Sequence, residues 1–532
     1  MALQAVTRFR TAVGAALLLV GVAAAVPVQC QVSVSPDVLR LYALRGDSLL
    51  WHREDRLSPA GLSAIHLLRA AAQNGLDPAA YQAALLDSLA RRPAAGITPE
   101  DRNRLDLRLT ANLVRFLGDV RGGQARGQPE PQLAAGLAEA IAADSLLGLV
   151  AALEPGLVQY RELRRALAEY RLLAEDSTLG PIPATRTVHP GEPYEGVDGL
   201  ARLLSALGDL PQDEPTPPPP TGYDGPLPAA VVRFQERHGL TPDGILGPAS
   251  FKALNTPLRW RVRQLELALE RLRRLPPLAG RRVVVVNVPA FRLFAFDSAG
   301  SVGTPALASR VVVGRALDTR TPALLAEMRS VDFWPVWNVP RSILVNEILP
   351  ILRRRPEYLR QNGMELVDTR GRVMGDEVSP EVLSRLQRGT LRVRQRPGAD
   401  NALGPVKFVL PNAADIYLHG TPNPELFRRP RRDLSHGCVR VEEVAGLVTW
   451  VLEGQGGWTA DSTAVELASG RPRRVALARP LPVAIYYTTA AAFPDGQVFF
   501  YDDLYGLDRR LDAELRGRTS TPWALRPPGT AE

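Results

Sequence analysis

The segment Ile416 to Arg440 reads IYLHGTPNPELFRRPRRDLSHGCVR and holds the residues with the plainest chemical capacity in the chain. Cys438 is the only cysteine outside the first 30 residues, and it lies two residues after His436 and nineteen after His419. The thiolate is the nucleophilic form of cysteine, so a lone thiol near imidazoles that can take its proton is a candidate for covalent catalysis. The order of the segment sharpens this reading. A short apolar stretch ends in His419-Gly420, a loop rich in Pro and Arg follows, and Ser435-His436-Gly437-Cys438 brings the chain back. Gly437 frees the backbone for a turn whose N–H groups can converge on one oxygen, as an oxyanion hole requires.

These residues resemble the signature of the L,D-transpeptidases, the YkuD-like cysteine enzymes that cross-link peptidoglycan. That pattern is a His-Gly-type dipeptide, a loop, then Ser-His-Gly-Cys, an aliphatic residue and Arg or Asn, and each part is present here. The resemblance implies that Cys438 is the nucleophile and His419 its general base, oriented by the Gly420 carbonyl. The turn Ser435-His436-Gly437-Cys438 would form the oxyanion hole, and Arg440 would steady the loop or hold a substrate carboxylate. It implies neither a cofactor nor a metal, and it names peptidoglycan stem peptides and glycan as partners.

The elements that must position these groups are strands. Arg282 to Val288 is a β-branched run, Phe291, Leu293 and Ala295 alternate with polar or mixed positions, and Arg310 to Val313 is a further run. Pro405 to Leu410 and Asp415 to Leu418 add two more, the second delivering His419 at a strand end. The resemblance extends through Val313-Gly314-Arg315, Trp337-Asn338-Val339-Pro340, Asn346 to Pro350 and Asn401-Ala402-Leu403-Gly404. Arg341 to about Arg396 is an insertion of helical and charged character, which the resemblance makes a mobile cap beside the groove. Such a lid would keep water from a thioester. Trp334, Trp337 and Tyr417 are candidates for lining the groove, or equally for the core. The tail, with Tyr486-Tyr487 and Phe499 to Tyr505, reads as strands.

Upstream the periodicity is helical. Ser58-Pro59 starts a helix, Leu62, Ile65, Leu68 and Ala72 recur at three- and four-residue steps, and Asn74-Gly75 ends it. Leu109, Leu113, Phe116, Leu117 and Val120 repeat the pattern; His52, His66 and His189 read as surface or core histidines. This stretch is similar to the N-terminal domain of the larger L,D-transpeptidases. Residues 227–255 give two short helices around Asp243-Gly244 and Pro248, and resemble the three-helix peptidoglycan-binding module, interrupted by a proline loop from Pro211 to Gly225.

Arg8 and Arg10, the apolar run Ala12 to Val28 and Ala23-Ala24-Ala25 form an export signal, either cleaved or kept as an N-terminal membrane anchor. Gln29 before Cys30 argues against lipidation. Export makes the periplasm the expected location, and a single mature thiol has no intramolecular disulfide partner there. The formal charge is +8, yet of 64 basic residues only Lys252 and Lys407 are lysines. Such a skew points to genome composition, and no basic run is interleaved with aromatics as nucleic-acid binding would require.

The expected architecture is multidomain α+β. It comprises a leader at 1–30, a helical scaffold domain at 31–190, a small three-helix peptidoglycan-binding domain at 195–257 and a mainly β catalytic domain at 280–455. A helical cap is inserted at about 341–396, and strands at 456–532 complete the domain. A monomer is expected. Competing readings are a zinc site built on His419, His436 and Cys438, and an inert wall-binding protein. The first would need two ligands only two residues apart and lacks an acidic partner, whereas the second has no use for the Ser-His-Gly-Cys turn. Within the enzyme class the alternative is an L,D-carboxypeptidase or an enzyme attaching protein to peptidoglycan through the same Cys/His site.

Overall fold

The computed structural model describes residues 35–46, 48–54, 56–92, 98–124, 132–211, 222–278, 280–298 and 304–519. The leader and most of the proline loop lie outside them. Among the described residues no helix is long and apolar enough to cross a membrane.

The N-terminal third is helical, and its helices begin where side-chain caps allow. In α1 (Pro59–Arg69) Ser58 accepts from the Gly61 N–H, and in α2 (Pro99–Gly122) Thr98 accepts from that of Asp101. Their apolar faces enclose Trp51, Leu68, Leu109, Leu113 and Phe116 in one core. Buried Asp106 ties this core by accepting from the Tyr42 hydroxyl, the Leu50 and Trp51 N–H groups and the His52 ring. Helix α3 (Val158–Glu175) then leads to α4 (Leu227–Arg237) of the small domain and to α5 (Leu258–Arg273).

The strands that follow are β1 (Val283–Asn287), β2 (Arg292–Phe296), β3 (Leu307–Gly314), β4 (Leu324–Phe333) and β5 (Trp337–Asn338). After them come β6 (Met364–Asp368), helix α6 (Pro380–Arg388), β7 (Leu391–Gln395), β8 (Val406–Val409) and β9 (Leu418–His419). The chain ends with β10 (Asp433–Ser435), β11 (Val439–Val441), α7 (Val444–Leu452), β12 (Arg473–Tyr486), β13 (Ala490–Ala492) and β14 (Val498–Phe500). The main sheet runs β10-β3-β11-β9-β8-β4-β12-β1-β2, and β3 also pairs with β2, which closes it into a ring. Alternate residues such as Val284, Leu293, Val311, Val331, Phe408, Leu418 and Val439 point inward to a core that α7 completes with Leu447, Val448 and Val451.

The insertion is not purely helical. Its strands β6 and β7 join β5, just before it, in a three-stranded sheet β5-β7-β6, whose apolar side packs with α6 and the preceding helical turns around Leu352, Leu359, Leu366 and Val393. The tail likewise departs from strands alone: it contains helices Ala460–Ala468 and Leu507–Thr519. The β13–β14 hairpin leaves the ring and packs against α3 and α5, where Tyr160, Leu167, Leu265, Leu269, Val498 and Phe500 share one core.

The small domain is fused to that core by polar as well as apolar contacts. Arg237 pairs with Asp209 and donates to the Val498 carbonyl at 3.0 Å, while the His238 ring stacks on Phe234 and faces Phe500. Both members of the Arg237–Asp209 pair are nearly excluded from solvent, so removing one leaves the other charge buried and uncompensated. Arg237→Ala is therefore expected to lower stability by about 3–5 kcal/mol, read as a fall in thermal unfolding midpoint. An unchanged midpoint would show that the pair does not hold the domain in place.

Candidate active site

The site is fixed by a parallel register. Strands β9 and β11 pair Leu418 with Val439 and His419 with Arg440, and the Val439 N–H donates to the Tyr417 carbonyl at 3.1 Å. Leu418 and Val439 enter the core, so Tyr417, His419, Cys438 and Arg440 all stand on the opposite face. Lys407 joins them, because β8 sets it opposite His419. The next position along that row is Asp332, whose carboxylate takes two 2.7 Å bonds from Arg474. His419 is thus one strand over and two residues along from Cys438, a diagonal on the order of 8 Å between Cα atoms that two inclined side chains can bridge.

The turn carrying Cys438 is held from below. The Ser435 hydroxyl donates to the Cys438 carbonyl at 2.6 Å and accepts from the Gly437 N–H at 3.2 Å. Thr319 donates to the Ser435 carbonyl and Thr321 to the Gly437 carbonyl, at 2.9 and 2.7 Å. Gly437 has φ +117°, a conformation that favours glycine, and a Cβ there would lie 3.3 Å from Ile416 Cδ1, a tight contact that the isoleucine would have to yield to. Gly314 is constrained by space alone, since a Cβ would fall 1.9 Å from the Thr319 carbonyl oxygen. Because Gly437 N–H is spent on Ser435, the turn donors left without an acceptor among the described residues are those of His436 and Cys438. This narrows the oxyanion hole expected of the turn to two N–H groups.

Electrostatics set the resting protonation. Burial lowers the His419 ring to about 3, helped by the Arg440 charge and opposed by the carbonyls of Gly420 and Leu403. Those carbonyls lie near enough to favour a charged ring, yet neither closes a hydrogen bond to Nδ1, which is buried and unpartnered among the described residues. Burial pushes the Cys438 thiol up, while the Tyr417 backbone and hydroxyl and the Lys407 ammonium favour the thiolate. Its Sγ sits 3.8 Å from the Asp415 carbonyl. Arg440 is mostly buried, its Nε has no hydrogen-bond partner among the described residues, and burial lowers its pKa while a Cys438 thiolate would favour its charge. The resting pair is a neutral thiol and a neutral imidazole flanked by two cations.

Trp337 and Tyr417 do meet. The Tyr417 hydroxyl is near enough to feel both the thiol and Trp337, burial raises its pKa, and Lys407 Nζ lies 3.9 Å from its ring centre. Trp334 instead belongs to the core side, its indole donating to the Leu467 carbonyl at 3.1 Å. His436 contributes more than backbone: its Nε2 is 2.5 Å from Glu347 Oε1, on the helical start of the insertion. Arg315 reaches the same carboxylate at 4.0 Å, so the insertion is clasped onto the turn that carries the thiol. Sequence reasoning missed Lys407 and Glu347. The rarity of lysine could have signalled the first; the second lies within the Asn346 to Pro350 stretch that carries the resemblance, but its partner His436 is 89 residues away. Among the described residues no three His, Cys, Asp or Glu side chains converge as a metal site requires.

A depressed imidazole makes stability pH-dependent in a known direction. Above about pH 6.5 His419 is neutral whether folded or unfolded. Between there and about 3 only the unfolded chain takes up the proton, so stability is lost as pH falls through that window. His419→Gln, a neutral replacement, should flatten this part of the profile in denaturant titrations at pH 7, 5 and 4. Parallel profiles for the two proteins would show that the ring is not held neutral.

Residues 281–466 match the L,D-transpeptidase catalytic domain of the YkuD family, and residues 36–167 match the scaffold domain. Residues 194–254 match the family described as "Putative peptidoglycan binding domain". A curated relative from Haemophilus influenzae, named "Putative L,D-transpeptidase", is 34% identical over 251 residues, covering 47% of this chain and 49% of the relative. The chain thus spans about half the length of the curated relative it matches. A crystal structure of an L,D-transpeptidase from Xylanimonas cellulosilytica is 15% identical with a TM-score of 0.18, over 57% of this chain and 99% of that one.

Proposed function

We infer that this chain, which carries a YkuD-type L,D-transpeptidase catalytic domain together with a scaffold domain and a peptidoglycan-binding domain, cross-links peptidoglycan through a thioester on Cys438. The observation that supports this most directly is the placing of Tyr417, His419, Cys438 and Arg440 on one face of two register-locked strands, beside a turn with two free N–H donors. The leader read in the sequence puts this work outside the cytoplasm, in the periplasm, with or without an N-terminal anchor.

In this reading Cys438 Sγ attacks the carbonyl between the third residue of a donor stem, a diamino acid, and its terminal D-residue. The thiol is protonated at rest, so its proton passes to His419 during the attack rather than before it. The tetrahedral oxyanion accepts hydrogen bonds from the His436 and Cys438 N–H groups. Collapse breaks the C–N bond, His419 returns the proton to the departing amine, and the acyl group remains as a thioester. The side-chain amine of a second stem then attacks, gives its proton to His419 and expels the thiolate, which regains that proton. Lys407 and Arg440 favour the thiolate at both ends of the cycle. Arg440 is also placed to receive a substrate carboxylate. The clasp between Glu347 and His436 keeps the insertion over the thioester, where it limits hydrolysis.

Intact-protein mass spectrometry with a stem-peptide donor tests the roles. Cys438→Ala should carry no adduct, and His419→Ala should acylate about 10²–10⁴-fold more slowly. His436→Ala, which keeps the turn N–H groups, should retain a measurable rate. Muropeptide masses after incubation with sacculi separate cross-linked dimers from trimmed stems and from protein-linked stems, the last two being products of hydrolysis or protein attachment. Loss of activity in EDTA, restored by zinc, would replace the thioester reading with a metal one.

A further inference from the structure

A cleft of about 1770 Å³ lies behind the loop that enters the catalytic turn. One wall is formed by residues 427–432 with the start of β2 and the middle of β3, the other by the end of α4 and residues 238–250 of the small domain. Its floor gathers positive charge. Arg292 and Arg310 are directly opposed across β2 and β3, a like-charge cross-strand pair that is unfavourable by itself. Arg432 lies beside them, 5.2 Å over the Phe291 ring, and its donors end only on the carbonyls of Val311, Arg429 and Phe291. Burial, then the charges of Arg292 and Arg310, push its guanidinium down to about 10.

Glu442 and the neighbouring Glu443 are the carboxylates that act on these three cations, both through Arg310. Glu442 takes two bonds from Arg310, at 2.6 and 2.5 Å. Among the described residues neither Arg292 nor Arg429 has a carboxylate partner. Other acids of the cleft are engaged elsewhere: Asp209 with Arg237, Asp502 with Lys252, Glu169 with Arg165, Asp503 with the Tyr487 hydroxyl, and Asp243 with the Gln235 amide and the Ile245 N–H. Glu236 belongs to the small-domain wall, and Asp495 to the hairpin turn whose Gly496 lies beside Arg165 on α3. An excess of guanidinium on the sheet wall, facing a matched peptidoglycan-binding domain, is the complement of a polymer that carries carboxylates at intervals. Stem peptides supply such carboxylates, and the glycan backbone between them is bulky and polar.

We propose that this cleft binds stem-peptide carboxylates along a peptidoglycan strand held by the small domain, with Arg292, Arg429 and Arg432 receiving them. The identity of the polymer rests on the transpeptidase reading. Arg432 is six residues before Cys438, at most about 20 Å of extended chain, so a strand in the cleft presents a neighbouring stem within reach of the thiol.

The test is Arg292→Gln combined with Arg429→Gln, two exposed side chains whose loss should not lower the thermal midpoint. Affinity is measured for uncross-linked glycan strands bearing stem peptides and for the same strands stripped of peptides, at low and raised salt. The double variant should bind peptide-bearing strands about three- to tenfold more weakly at low salt, converge with the parent at high salt, and bind stripped strands unchanged. Equal affinities for peptide-bearing strands, or an equal loss on stripped ones, would overturn the proposal. If Cys438 never acylates while peptide-dependent binding persists, the transpeptidase reading fails and the cleft assignment stands, so the two failures are distinguishable.

Discussion

Two residues of parallel pairing, Leu418 with Val439 and His419 with Arg440, decide what this protein can do chemically. Side chains alternate along a strand, so this register commits Leu418 and Val439 to the ring's interior and Tyr417, His419, Cys438 and Arg440 to one outer face. A slip of one residue would turn the thiol into the core and a valine into the groove. The register is secured where it costs most to change: the inward residues sit in a core shared with Phe408, Val311 and the α7 helix. Hydrophobic packing on one side of the sheet is thus what aims the polar groups on the other.

That aim also determines their protonation. Burying an imidazole beside a guanidinium makes its charged form unfavourable, and burying a thiol does the same to the thiolate. A thiolate–imidazolium pair is therefore not the resting state. The cations Lys407 and Arg440 bias the balance toward thiolate without asking the ring to carry charge in advance. Glu347 adds a tie between the insertion and this arrangement through His436 and Arg315, so that three elements far apart in sequence meet at the turn.

A second layer ties the domains together. Helices α3 and α5 and the β13–β14 hairpin form one core, with Arg273 fully buried and donating to the Tyr160 hydroxyl and to Glu270. The small domain docks on this layer through Arg237, His238 and Phe234. It is accordingly a wall of the cleft in front of Arg292 and Arg432 rather than a tethered accessory. The hairpin that makes this possible comes from the tail of the chain, beyond the ring's last strand.

By itself the sequence determined the parts whose signal is local. The Ser-His-Gly-Cys turn, the His419-Gly420 dipeptide, the strand runs at 282–288 and 310–313 and the capped helix after Ser58 each depend on neighbours within a few residues, through backbone freedom, side-chain period or a capping hydroxyl. The matched domains follow the same order along the chain. What only the tertiary structure decided is whatever depends on pairing across long separations. The sheet within the insertion, the helices in the tail, Glu347 against His436, and the Arg292, Arg310 and Arg432 cluster all fall in this class. Their sequence is ambiguous because a charged residue reads as a solvated surface position until its neighbour is known. Burial and register, which convert such a residue into a clasp or a binding wall, are properties of the closed ring and the helices packed on it.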